Sequence, residues 1–509
     1  MDTISNKQSS GDLKTGTGPS AKSIVGMGVF TLAMINISAI VSLRGMPAES
    51  TYGISSVFYY IFAAVFFLIP VSLVAAELTT GWPQKGGVFR WVGEAFGPKM
   101  GFLAIWLQWI ESTIWFPTVL TFAAVSLAFI GPDQRWDEAL AANKWYALAI
   151  VLAVYWGATL LNLRGMKMSG IVTKWGTMIG TVIPAAVLII LGLAYWASGN
   201  KILLDMSADE LIPDLSNYNN LVLAASIFLF YAGMEMSAVH VKDVRNPGRD
   251  YPMAIFISAI ITVAIFVFGT LAIGFIIPEA QINLVQSLLI AYDKFFAFFG
   301  VPWLGSLIAV CLAVGVLAQV TAWVMGPSKG LLQVGMAGYL PPAMQKTNHN
   351  NVQVGILLIQ GCVVTLLAFM FVIMPSVQTA YQIISQLTII LYLIMYMLMF
   401  ASAIYLRHKE PATVRTFRIP GGKFFGMWVV GGIGLLGSVA AFLVSFIPPG
   451  QIPVGSPMIY ILILVIGTVL FAGIPFIIYA MRKPEWKKTL SPEDEFEPFG
   501  SGNPNKEGN

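Results

Sequence analysis

Long apolar stretches alternate with short polar or charged connections along nearly the whole chain. The stretches match the roughly 20 apolar residues that a membrane-crossing helix needs. The pattern predicts about twelve helices, over 24–47, 51–76, 101–130, 145–162, 171–196, 220–241, 253–277, 303–326, 351–374, 380–405, 424–447 and 458–481. Helices satisfy their backbone groups within the segment, as hydrocarbon demands. A membrane barrel would instead show weaker alternating segments of about ten residues. Between the spans, GWPQKGGVFRWVGEAFG (81–97) reads as a short interfacial helix and 280–300 as a second, while 331–345 is glycine-rich and not a span. Residues 1–22 are polar, with no early apolar core, so no cleavable signal peptide is expected and 1–22 read as a disordered tail. The charged residues after Met481 read as a second disordered tail.

Composition narrows the class. Of 509 residues, 57% are apolar and 11% charged, against about 25% charged in a soluble domain. This excludes a soluble multidomain enzyme, a nucleic-acid binder and a disordered chain. The two cysteines, Cys311 and Cys362, both lie in apolar runs, and the three histidines stand far apart. Neither pattern has the spacing of a disulfide framework or a metal site. No nucleotide-binding loop or nucleophile–base pair is recognisable, so no cofactor, metal or catalytic residue is expected.

The cations orient the chain. With the N-terminus inside, 24 of the 29 Lys and Arg residues fall in inward loops and tails and four in outward loops. Arg44 lies within a span. Such a bias predicts cytoplasmic termini at both ends and an even number of spans.

Transporters commonly bind substrate near the midplane, where broken helices turn free backbone groups toward a cavity. The first span carries Asn36, Ser38, Ser42, Arg44, Gly45 and Pro47, and the sixth carries Tyr231, Gly233, Glu235, Ser237 and His240. These are the leading helices of two five-helix units, 1–5 and 6–10, a spacing that fits an inverted repeat over about 24–196 and 220–405. Helices 11 and 12 (about 424–481) are then peripheral. Arg44, Glu111 and Glu235 lie inside apolar runs, where a charge must be paired or face a wet cavity. Arg44 is a partner for a substrate carboxylate or half of a structural ion pair with Glu111. Glu235 is a gate or proton-linked acid, or a hydrogen-bonded acid that holds the sixth break. Candidate walls are Trp109, Trp115, Phe116, Phe230, Tyr231, Tyr392 and Tyr396, with Gln319 as a polar residue on the eighth span.

Five strings carry a resemblance: FLIPVSLVAAEL (67–78), KGGVFRWV (85–92), YAGMEMSAVHVKDVRNPGRDYP (231–252), GVLAQVTAWVMGPSKG (315–330) and TFRIPGGK (416–423). From about residue 24 to 481 the chain resembles the amino acid–polyamine–organocation (APC) superfamily, closest to its glutamate/γ-aminobutyrate antiporter group. The resemblance implies an all-α polytopic membrane protein with a LeuT-like 5+5 inverted repeat and two peripheral helices. It implies a substrate carboxylate held at an unwound first helix, here Ile40, Val41, Ser42 and Leu43. The unwound sixth helix maps to Tyr231, Ala232, Gly233 and Met234, and Glu235 matches the family's glutamate. The usual glycine-rich Gly-Ser-Gly is missing from the first helix, so the carboxylate site is placed by position. Arg44 stands where these antiporters carry an aromatic residue, and Gln319 where they carry a glutamate. The C-terminal tail is short and lacks histidine, so their pH-sensitive plug is not carried over.

The expectation is therefore a non-enzymatic amino acid antiporter of the cytoplasmic membrane. A domain at 23–482 would exchange an external glutamate-like amino acid for an internal amino acid or decarboxylated product by alternating access. The alternatives are a proton-coupled symporter on the same fold and a non-transporting amino acid sensor. Substrate contacts are assigned to Ile40, Val41, Ser42, Leu43, Arg44, Phe230, Tyr231, Ala232, Gly233, Gln319 and Tyr392, and gating or proton-linked roles to Glu235, Glu111 and Trp115. Partners are the amino acids and the bilayer, with no nucleic acid; a homodimer stays open.

Overall fold

The computed structural model describes residues 28–131, 133–213, 225, 227–228, 230–236, 244–448, 456–487 and 496–500. Among these it is all-α. Ten helices are long and apolar enough to cross a membrane: Ser55–Gly81, Pro98–Ala128, Lys144–Leu163, Ser169–Ala197, Gly248–Ile276, Leu304–Met336, Val354–Ile373, Val377–Lys409, Phe425–Val444 and Pro457–Ala480. They are the expected spans 2–5 and 7–12. The first span is a broken helix, and the sixth is described only at 225, 227–228 and 230–236. Ser237 and His240 lie outside the described residues.

Burial orders the layers. The third span is 94% buried over its most apolar stretch and the twelfth 11%, so the third is central and the twelfth peripheral. The third packs along the eighth and tenth spans. Apolar side chains exposed on the outer spans, such as Leu436 and Val469, suit hydrocarbon. Lipid is as apolar as the interior, so these faces cost nothing there.

Proline shapes two spans. The second contains a π-helical turn at Ala64–Leu68 and the fifth one at Met178–Val182, each followed by a proline, Pro70 or Pro184. A proline removes one helical N–H and crowds the carbonyl four residues earlier. A widened turn relieves that crowding.

The interfacial helix expected at 81–97 is Val88–Phe96, and the 280–300 segment contains Ser287–Phe298. The eighth span runs on to Met336, through Pro327, so part of 331–345 is helix after all. The ladder holds there because Pro327 costs one hydrogen bond, while packing against the third span continues.

The described parts of the C-terminal tail are also ordered. Pro484–Trp486 forms a 3-10 turn whose Trp486 carbonyl accepts from Gln345 Nε2 at 2.9 Å. Phe496 and Phe499 pack on Phe89, and the buried Arg90 donates to the Glu497 and Pro498 carbonyls at 2.6 and 3.3 Å. Two aromatic rings and a fully buried guanidinium outweigh the polar composition on which the disordered reading rests.

Candidate functional site

The first span is helical over Val29–Ile40 and then extended at Val41 (ψ 115°) and Ser42 (φ −133°, ψ 116°). A 3-10 turn, Leu43–Gly45, leads into a short helix, Met46–Ser50. Pro47 has no N–H for the Leu43 carbonyl, and that carbonyl instead accepts from Met46 N in the tighter turn. The amides just after the break lack the partners that an unbroken helix would provide.

The sixth span is helical up to Tyr231, turns at Ala232 and Gly233, and continues as a 3-10 turn, Met234–Met236. Gly233 has φ +113°, a region glycine enters without strain. Its N–H donates to the Tyr396 hydroxyl at 2.8 Å. The two breaks face each other. A Cβ on Gly45 would fall 2.0 Å from the Phe230 ring, so that ring lies directly on the first-span backbone.

Between the breaks is a small cavity. The first span contributes Ala39, Ile40, Ser42 and Arg44, and the third Glu111 and Trp115. The sixth contributes Phe230 and Ala232, the eighth Gln319 and Trp323, and the tenth Tyr392. Its free space is about 20 Å³, room for one or two waters. An amino acid is larger, so binding requires the aromatic walls to move.

Arg44 is 3% exposed. Its Nη1 donates to the Tyr381 hydroxyl at 2.7 Å, and its guanidinium carbon lies 5.4 Å from the ring centres of Trp115 and Phe230. Aromatic faces stabilise a desolvated cation but do not neutralise it. Among the described residues no carboxylate pairs with Arg44, and Glu111 Oε1 is buried with no hydrogen bond. The Arg44–Glu111 ion pair held open as a structural alternative is therefore not formed.

Glu235 differs. Oε1 accepts from Tyr392 at 2.5 Å and from Gln108 Nε2 at 2.9 Å, and Oε2 accepts from Tyr396 at 2.6 Å. This is the geometry of an acid that holds the sixth-span break against the third and tenth spans. Glu235 does not line the cavity.

Of the other expected residues, Val41, Leu43, Gly233 and Tyr231 stand off this cavity. The Tyr231 hydroxyl donates instead to the Tyr60 carbonyl at 3.3 Å, and its ring packs on Phe266. Trp109, Phe116 and Tyr396 also lie away from it. Ala39, Trp323 and Tyr381 were missed. Trp323 follows Gln319 by four residues and so shares its helix face, a signal present in the sequence. Trp323 also bridges the site, donating from Nε1 to the Ala39 carbonyl at 3.1 Å. Tyr381 had no such signal.

A family model described as amino acid permease matches residues 27–471. The chain is 42% identical over 451 residues to an uncharacterised transporter of Legionella pneumophila, covering 89% of this chain and 96% of that one. It is 31% identical over 483 residues to the glutamate/γ-aminobutyrate antiporter of Lactococcus lactis subsp. cremoris, covering 94% and 95%. A probable agmatine/putrescine antiporter of Lactococcus lactis is 25% identical over 76% of this chain and 81% of its own length.

Proposed function

The chain belongs to the amino acid permease family of the APC superfamily, and on that premise we propose that it is an amino acid antiporter of the cytoplasmic membrane working by alternating access. Its family makes it a multi-pass, non-enzymatic transporter of small amino acid substrates. The observation that carries the finer reading is a cation and a carboxyl group, Arg44 and Glu111, on one small cavity and with no ion pair among the described residues. Buried ionisable groups without partners are unfavourable, and a zwitterion supplies both missing partners at once. The α-carboxylate meets Arg44 and the amides that follow the Val41–Ser42 break. The α-ammonium meets Glu111 and backbone carbonyls at the sixth-span break beside Phe230 and Ala232.

Trp115, Phe230 and Tyr392 wall the substrate, and Phe266 packs on both Phe230 and Tyr231. Glu235, tied to Tyr392 and Tyr396, couples the sixth-span break to the tenth span, so that the two move together when the carrier rocks. The antiporter names of two relatives favour exchange, with a glutamate-like amino acid entering and an amino acid or its decarboxylated product leaving. Residues 24–196 and 220–405 act as the two inverted repeats, with both termini cytoplasmic.

The test is reconstitution into liposomes loaded with single amino acids or γ-aminobutyrate, followed by uptake of labelled amino acids. Uptake that requires internal substrate supports exchange. Uptake into empty liposomes, driven by a pH gradient, overturns it in favour of proton symport.

A further inference from the structure

A second, smaller cavity adjoins the first, and Ser42 and Gln319 stand in the wall common to both. Phe122 of the third span lines its far side, and Thr181 projects from the π-helical turn of the fifth span. The widened turn replaces regular helix with an offset backbone, a feature frequent at functional sites. The floor is backbone. A Cβ on Gly180 would fall 2.1 Å from Gly315 N, so the fifth and eighth spans touch there with no side chain between them.

Three polar side chains converge on this space. Ser42, Thr181 and Gln319 are 8%, 7% and 7% exposed. Among the described residues none of the three side chains makes a hydrogen bond. Polar groups inside a protein are satisfied in the large majority of cases, by protein or by ordered water. Three such groups open onto one cavity mark a place where water, or a polar ligand that displaces it, supplies the partners. No ionised side chain lines the second cavity. Arg44 and Glu111 stand on the first cavity, beyond Ser42 and Gln319.

We infer that the second cavity is the side-chain subsite of the carrier. It takes an amino acid whose side chain ends in an uncharged group that both donates and accepts hydrogen bonds, as a carboxamide does. This rests on the reading above, in which the first cavity holds the α-carboxylate and α-ammonium. The Gln319 amide offers one donor group and one acceptor, the complement of a second amide. The hydroxyls of Ser42 and Thr181 take either role. Because no hydrogen bond holds Gln319, rotation of its side chain joins the two cavities. The Gly180–Gly315 contact limits how far the substrate reaches. An apolar side chain of equal length would leave all three groups unpaired, the situation in which a polar site discriminates most strongly.

Proteoliposome exchange with labelled glutamine and labelled methionine, probes of similar length, tests this in the wild type, Thr181→Val and Gln319→Met. The wild type is expected to prefer glutamine at least tenfold, and each variant to lower the glutamine-to-methionine ratio about tenfold. Thr181→Val keeps the side-chain shape, so it serves if Gln319→Met does not fold. A wild type that prefers methionine, or variants that reduce both substrates equally, overturns the subsite while amino acid exchange stands. A wild type that exchanges no amino acid overturns the transport reading itself.

Discussion

Arg44 of the first span and Tyr381 of the tenth are joined by a 2.7 Å hydrogen bond that sets how the guanidinium meets the cavity. A hydrogen bond to a charged group contributes about 1.5–3 kcal/mol. Tyr381→Phe leaves the charge but frees its orientation, so substrate affinity should fall about tenfold. Arg44→Gln removes the charge and should cost about a hundredfold. The concentration dependence of exchange measures both. Unchanged affinity in Arg44→Gln would sink the carboxylate assignment.

Glu77 gathers two guanidinium groups and a backbone N–H at the end of the second span. One carboxylate oxygen pairs with Arg407 and lies 3.3 Å from Arg415 Nε, and the other accepts from Ile419 N at 2.8 Å. Arg407 also donates to the Lys423, Ile419 and Gly422 carbonyls, so the loop that carries TFRIPGGK is tied to both spans. Glu77→Ala strands buried cations and should destabilise by about 3–5 kcal/mol. Because the pair shares one network, the Glu77→Ala/Arg407→Ala double variant should lose less than the sum of the singles. Thermal midpoints in detergent would decide this, and strict additivity would refute the coupling.

The tail contact depends on Gly93. A Cβ there would lie 2.3 Å from the Phe499 ring, and the Gly500 N–H donates to Glu94 at 2.8 Å. Gly93→Ala should release residues 496–500 from the helix Val88–Phe96. Limited proteolysis should then remove the tail at least several-fold faster than in the wild type. Equal rates would mean that the ring simply turns aside.

Two acids outside the spans give a pH dependence. Burial, with Asp133 and Glu138 nearby, pushes the Asp137 carboxyl up to about 6. Burial, with Asp137 and Glu138 nearby, pushes Asp293 up to about 7. A raised carboxyl favours the folded state when protonated, so this contribution is full below about pH 4 and lost as pH rises through 6 to 7. Asp293→Asn keeps a neutral side chain at every pH. Its thermal midpoint should exceed that of the wild type at pH 8 and approach it at pH 5. A constant difference across that range would exclude titration of Asp293 as the cause.

Span number and position were legible in the sequence because bilayer thickness sets the length of each apolar run. The break after Ile40 was legible too, since Pro47 and the polar Ser42 and Arg44 interrupt an apolar helix, and Gly233 marks the turn in the sixth span. Which side chains meet was not legible. In hydrocarbon the lipid-facing and protein-facing sides of a helix are equally apolar, so periodicity does not show which way a residue points. Only packing turned Tyr231 away from the cavity, brought in Trp323, Tyr381 and Thr181 from three different spans, and held Arg44 and Glu111 apart on one cavity. Contacts between residues hundreds of positions apart depend on how helices rotate against one another, and tertiary packing alone decides that rotation.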